Sequence, residues 1–272
     1  MRKLILGLIA GSSALVSAQS QAQTRPGFEI GAEAFGYSYR ERFEGDVVAR
    51  DDGKFGGATF GYVETIGGGM FLRAKLSVDF GSVDYRSEDG RIDNVNQSIG
   101  QLELHVGKDF ALGNGGTLTP FIGLASRVLE DHSGNKETEL GFAGYDREVS
   151  YAYVPVGAAA TFPLGGRSEL ILSAQYNWVV GGEAKSKFSD LDPDLPDLKL
   201  DLENGSGFEA SAIARFKLGG NAIGFGPFVR RWSIDQSKEL VLKDPDGSGD
   251  TITLFEPKNR TTEVGVRLTF AF

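Results

Sequence analysis

Cysteine is absent from the 272 residues. That excludes a disulfide frame, a thiol nucleophile and a cysteine metal site. Histidine occurs twice and methionine twice, so imidazole chemistry has two candidates at most. No stretch after the first twenty residues approaches the ~18 apolar residues of a spanning helix. Basic residues are outnumbered, 28 to 37, and an acidic balance argues against a nucleic-acid partner, which wants a basic face. Glycine, in contrast, is abundant at 38, and aromatics make up 11%.

The chain starts Met1-Arg2-Lys3, runs apolar from Leu4 to Val16, and continues with small residues. A basic start, a short apolar core and small-x-small sites at Val16-Ser17-Ala18 and Ser20-Gln21-Ala22 make residues 1–22 a secretory signal peptide. Cleavage after Ala18 or Ala22 fits. Loss of Arg2 and Lys3 leaves 26 basic residues against 37 acidic ones and moves the net charge from −9 to −11. Residues 23–272 form one domain by length.

That domain is patterned with period two, the period of a strand. Met70, Leu72, Ala74, Leu76, Val78 and Phe80 alternate with Phe71, Arg73, Lys75, Ser77 and Asp79. One face suits lipid and the other a polar interior. Ten such segments follow one another: 27–39, 55–65, 70–80, 95–110, 117–129, 147–162, 168–180, 207–218, 222–237 and a last one over Val264–Phe272. Connections near 67, 114, 165 and 220 are short and Gly-rich; those near 46, 90, 138, 193 and 248 are longer and polar. Lipid cannot satisfy an open sheet edge, so such strands must close. The expectation is an all-β, transmembrane, antiparallel up-and-down β-barrel of about ten strands, with eight or twelve as alternatives. Loops 40–53, 86–93, 130–146, 181–205 and 238–258 are read as polar loops.

Gly116-Thr117-Leu118-Thr119-Pro120-Phe121-Ile122-Gly123-Leu124-Ala125 resembles a recurrent strand of the small OmpA-like and opacity-type porin barrels. Tyr153 to Ala160 and Leu170 to Tyr176 look like the strands that follow it. The chain's ending resembles the C-terminal signature of bacterial outer-membrane barrels, in which a final Phe is read by the assembly machinery. The resemblance implies a Gram-negative cell envelope, export to the outer membrane, Phe270 and Phe272 as the assembly signal, and partners among outer-membrane lipid, lipopolysaccharide and the barrel-assembly machinery. Small solutes or ions are further partners if the interior conducts. The group includes adhesins, narrow pores and structural links, so it fixes little function.

The inward positions collect Glu29, Glu33, Arg73, Lys75, Asp79, Glu103, His105, Arg127, Glu209, Arg215, Lys217, Arg230, Glu263 and Arg267. Such charges could tune a pore. Ten strands lie near the narrow end of barrel sizes, and buried charges must be paired, which favours a plugged interior. Catalysis would need a base beside a carboxylate or hydroxyl. His105, with Glu103 on the same face, and His132 in an outer loop are the candidates, and neither sits in a recognisable catalytic motif. Asp244, Asp246 and Asp250, in Asp244-Pro245-Asp246-Gly247-Ser248-Gly249-Asp250, are weak calcium candidates; the same residues make turns. The acidic run Asp190–Asp197 could bind a cation or a basic partner, or simply be solvated. The sequence reading is a non-enzymatic outer-membrane barrel, structural or a narrow porin, with no cofactor and acidic outer loops. An outer-membrane enzyme acting on lipid A or peptides, or an adhesin, is the alternative.

Overall fold

A computed structural model describes residues 26–243 and 251–272. The signal segment 1–22 and the candidates Asp244, Asp246 and Asp250 lie outside the described residues.

Ten long strands form the wall: β1 (Gly27–Phe43), β2 (Asp46–Gly67), β3 (Met70–Ser87), β4 (Gly90–Lys108), β5 (Thr117–His132), β6 (Arg147–Gly165), β7 (Ser168–Ser186), β8 (Gly205–Leu218), β9 (Asn221–Ile234) and β10 (Lys258–Ala271). Each pairs antiparallel with its sequence neighbours, and β10 also pairs with β1. The sheet is therefore a closed ten-strand up-and-down barrel. At the seam Phe28 and Phe272 exchange both backbone hydrogen bonds, at 3.0 and 2.9 Å. Their rings join Phe60, Tyr62 and Phe270 in an aromatic group on the outer wall.

The strands are longer than a bilayer requires. Spanning takes about 9–11 residues, whereas β2 has 22 and β4 has 19. Outward positions explain the excess. On β3 they are apolar from Met70 to Phe80 and then become Ser82, Asp84 and Arg86. On β1, Phe28, Ile30, Ala32 and Ala34 give way to Gly36, Ser38 and Arg40. The inside changes in the opposite sense. Below, where the outside is apolar, it is charged. Above, it is a hydrophobic core: Phe35, Tyr37, Tyr39, Phe55, Val83, Ile92, Val95, Ile99 and Phe228 on one side, and Tyr151, Tyr153, Val179, Leu200, Leu202, Trp232 and Ile234 on the other. The lower half is built for lipid; the upper half is built like a water-soluble sheet.

This inversion corrects several sequence boundaries. Residues 40–53 and 86–93 are not loops. The strands run on through them to tight turns at 44–45 and 88–89. Glu44 and Gly45 both have positive φ, at 50° and 98°, which matches the twist of a two-residue hairpin and suits glycine at the second position. The stretch 181–205 is not all loop either. β7 runs to Ser186, and Leu198–Leu202 pairs with it after β8 has left, turning Leu198, Leu200 and Leu202 inward. Within 238–258, Leu240–Lys243 and Thr251–Leu254 pair as a small hairpin. The two ends of the barrel thus differ by how far strands project, not only by loop length.

Candidate functional site

The interior collects buried charged side chains from most of the strands. Strand alternation aims Glu33, Asp79, Glu103, Arg127, Glu209, Arg230, Glu263 and Arg267 at one another, and all are buried or nearly so. Arg267 donates from Nε to Glu33 at 2.8 Å, and its Nη1 lies 3.3 Å from Glu209. Arg230 also bonds Glu33, and its Nη1 is 3.0 Å from Glu263. Arg127 extends the network to the far wall by bonding Glu263 and donating to Gln101 at 3.2 Å. Aromatic faces take the remaining guanidinium surface. Arg230 lies between Phe35 and Phe228, at 5.3 and 4.7 Å from the ring centres, and Arg127 lies 5.3 Å from Trp232.

Glu103 belongs to an adjoining set. It accepts from Tyr153 at 3.0 Å and from Gln101 and Gln175 at 3.1 Å, and Lys75 is 3.5 Å away. Nearer the lower end Glu169 receives Arg215 and, at 2.7 Å, Lys217. Glu169 was not among the residues singled out in the sequence. Arg73 lies over Phe71 at 5.2 Å, and Glu29 is half-buried. Asp79 is fully buried, and neither of its oxygens has a hydrogen-bond partner in the protein.

His105 does not pair with Glu103. Both its ring nitrogens lack a hydrogen bond, and the ring packs on Phe121 at 4.8 Å. The reason is competition: Glu103 is already held by four other groups. His132 ends β5, exposed, with Nδ1 3.8 Å from Asp146. The run 190–197 is largely exposed but tied at both ends, Asp190 accepting from the Asp146 amide and Asp197 from Ser189. Among the described residues no three His, Asp or Glu side chains are grouped to hold a metal ion.

Higher up, a second polar layer closes the barrel. Gln97 donates its amide to both Asp51 at 3.0 Å and Asp131 at 2.6 Å. Burial first, and then the Asp131 charge, push the Asp51 carboxyl up to about 7. Arg147 holds Glu41 at 2.9 Å and also bonds Glu256. Between these layers lies a cavity of about 30 Å³, lined in part by Tyr37, Asp51, Gln97 and Arg127. That is room for about one water. The sequence hid this layer because 40–53 and 130–146 read as loops; the surviving period-two placement of Tyr37, Tyr39 and Asp51 was the available signal.

No protein-family profile matches the chain, and no curated protein matches it in sequence. Solved structures do match. The outer membrane protease OmpT from Escherichia coli superposes with a TM-score of 0.60 at 12% identity, over 92% of this chain and all of that one. The translocator domain of the autotransporter NalP from Neisseria meningitidis gives 0.39 at 13% identity, covering 90% and 89% of the two chains. The toluene transporter TodX of Pseudomonas putida gives 0.36 at 10%, covering 96% and 93%. At 12% identity the likeness to OmpT is one of fold, that of an outer-membrane β-barrel.

Proposed function

We propose that the chain is an integral outer-membrane barrel with a closed interior, acting as a structural element whose upper wall and acidic loops meet the outside. One observation carries this reading: most of the buried charges that could line a pore are spent on each other, across the full width of the barrel. Arg127 on β5 and Glu263 on β10 are buried at 2% and 0% exposure. A conducting path would have to break such pairs, and leaving one member unpaired costs about 3–5 kcal/mol.

The rest of the reading follows from supporting features. The apolar outer band of 70–80 has the length of a spanning strand. Residues 1–22 direct export, and Phe270 and Phe272 are read by the assembly machinery. Relation to the OmpA-like and opacity-type barrels rests on the strand motifs alone. The protein is proposed to be no enzyme: His105 is enclosed by packing, and His132 has only a loose contact with Asp146. Liposome swelling tests closure. Vesicles carrying the protein should swell in small sugars no faster than empty ones; swelling that scales with protein content would refute it.

A further inference from the structure

The register places five arginines side by side. Arg260 on β10 is the partner of Arg40 on β1, Arg40 of Arg50 on β2, Arg50 of Arg86 on β3, and Arg86 of Arg91 on β4. All face outward, because their neighbours Tyr39, Asp51, Ile92, Asn259 and Thr261 are buried inside and Tyr85, beside Arg86, packs on the inner hydrophobic cluster. Strands lie about 4.8 Å apart, so the row spans roughly 19 Å. Like charges directly opposite in a sheet are destabilising. Two members are compensated: Arg40 by Asp52 at 2.8 Å, and Arg91 by Asp84 and Asp93. For Arg50, Arg86 and Arg260 no carboxylate lies within ion-pair distance among the described residues. Lys54, beneath Arg50, has none among the described residues either. The opposite wall is different: there Glu148 and Lys185 are opposite one another and bonded at 2.8 Å. In an acidic chain, an arginine row with three of five members unpaired among the described residues is a site for an external anion.

We propose that this row binds the phosphate-bearing sugar headgroup of an anionic glycolipid in the surrounding leaflet. This rests on the outer-membrane reading given above. Guanidinium forks suit phosphate oxygens bidentately. The site faces sideways, above the lipid band, so its ligand stands in the membrane plane. Its height selects the ligand further. Arg260 is four residues beyond Val264, the last apolar outward residue of its strand, Arg86 six beyond Phe80 and Arg50 eight beyond Ala58. With a rise of about 3.3 Å and a tilt of about 40°, the row stands roughly 10–20 Å above the apolar edge. Ordinary headgroups fill only about 5–8 Å there. Phosphates carried up on a saccharide reach the row; those of a phospholipid do not.

The test uses the whole protein refolded in detergent, with binding read by native mass spectrometry against added salt. The probes are a lipopolysaccharide with phosphorylated inner sugars, the same molecule dephosphorylated, its lipid A portion alone, and inorganic phosphate. The wild type should bind the first, with affinity falling as salt rises. The other three probes, and the R50Q/R86Q/R260Q variant with the first, should bind roughly tenfold more weakly or less. Lys185→Gln on the opposite wall should bind as wild type. Without glycolipid the triple variant should melt no lower than wild type, since repulsion is relieved. Equal binding by the triple variant, or by the dephosphorylated glycolipid, overturns the proposal. Equal binding of lipid A alone or of inorganic phosphate overturns it too, placing the ligand elsewhere. Should the triple variant not fold, Arg50→Gln, Arg86→Gln and Arg260→Gln singly must each weaken binding, and unchanged binding in all three overturns it. Insertion into plain phospholipid vesicles, measured in parallel by protease protection, reports the membrane reading separately.

Discussion

Arg267 and Glu33 are direct register partners on the last and first strands, and the Arg267 Nε donates to the Glu33 carboxylate at 2.8 Å. The bond crosses the seam at which the barrel closes, so the same pair fills the interior and ties the chain's ends. Glu33 also receives Arg230. Glu33→Ala should therefore take one carboxylate from each of two buried guanidinium groups, which keep Glu263 and Glu209, and lower stability by up to about 3–5 kcal/mol. Urea unfolding in detergent, followed by tryptophan fluorescence, measures it. Adding Arg267→Met should recover part of the loss, because one under-compensated buried charge is then gone.

Asp79 packs against the bare backbone of Gly57. A Cβ on Gly57 would collide with the Asp79 carboxylate and the Val78 carbonyl. Gly57→Val should cost about 1–3 kcal/mol through overpacking, seen as a reduced folded fraction on an unheated gel. Gly100, whose Cβ would meet nothing within 4 Å, should tolerate Ala at the same assay.

Asp51 gives the upper barrel a pH dependence. Its carboxyl is raised to about 7 when folded, from an ordinary 3.8. The folded state thus holds a proton that the unfolded state has released between those values. Stability falls as pH rises from about 4 to 7, by at most about 1.4 kcal/mol per pH unit, and is flat above. Asp51→Asn should flatten that slope and be the more stable protein at pH 8. Melting temperatures of both proteins from pH 4 to 9 decide it; parallel curves would sink the assignment.

Phe272 closes the backbone pairing with Phe28 and joins the outer aromatic group. If it is also the assembly signal, Phe272→Ser should lower the amount reaching the outer membrane in cells several-fold, while refolding of purified protein in detergent drops much less. Equal losses in both would assign Phe272 a packing role alone.

The lower barrel was legible because lipid imposes one rule: from Met70 to Phe80 every outward position is apolar, and Phe71 is the one apolar residue on the inward face. The upper barrel was not, although its residues alternate too. There water is outside, so Arg40, Arg50 and Asp52 take the outer positions and Tyr37, Tyr39 and Val83 the inner ones. The period survives while the phase of polarity reverses, and charged outer residues beside Gly53 and Gly90 then read as loops. Inward charge could be listed from alternation alone. Which charges meet could not, since Arg127 and Glu263 lie 136 residues apart and are joined only by closure. Glu103's choice of Tyr153 over His105 likewise depends on the opposite wall.

The central claim is that this interior is closed. Planar-bilayer recording on the purified protein tests it most directly. The account predicts a silent bilayer for the wild type after insertion has been verified. Steady, ion-selective current steps from the wild type would contradict it.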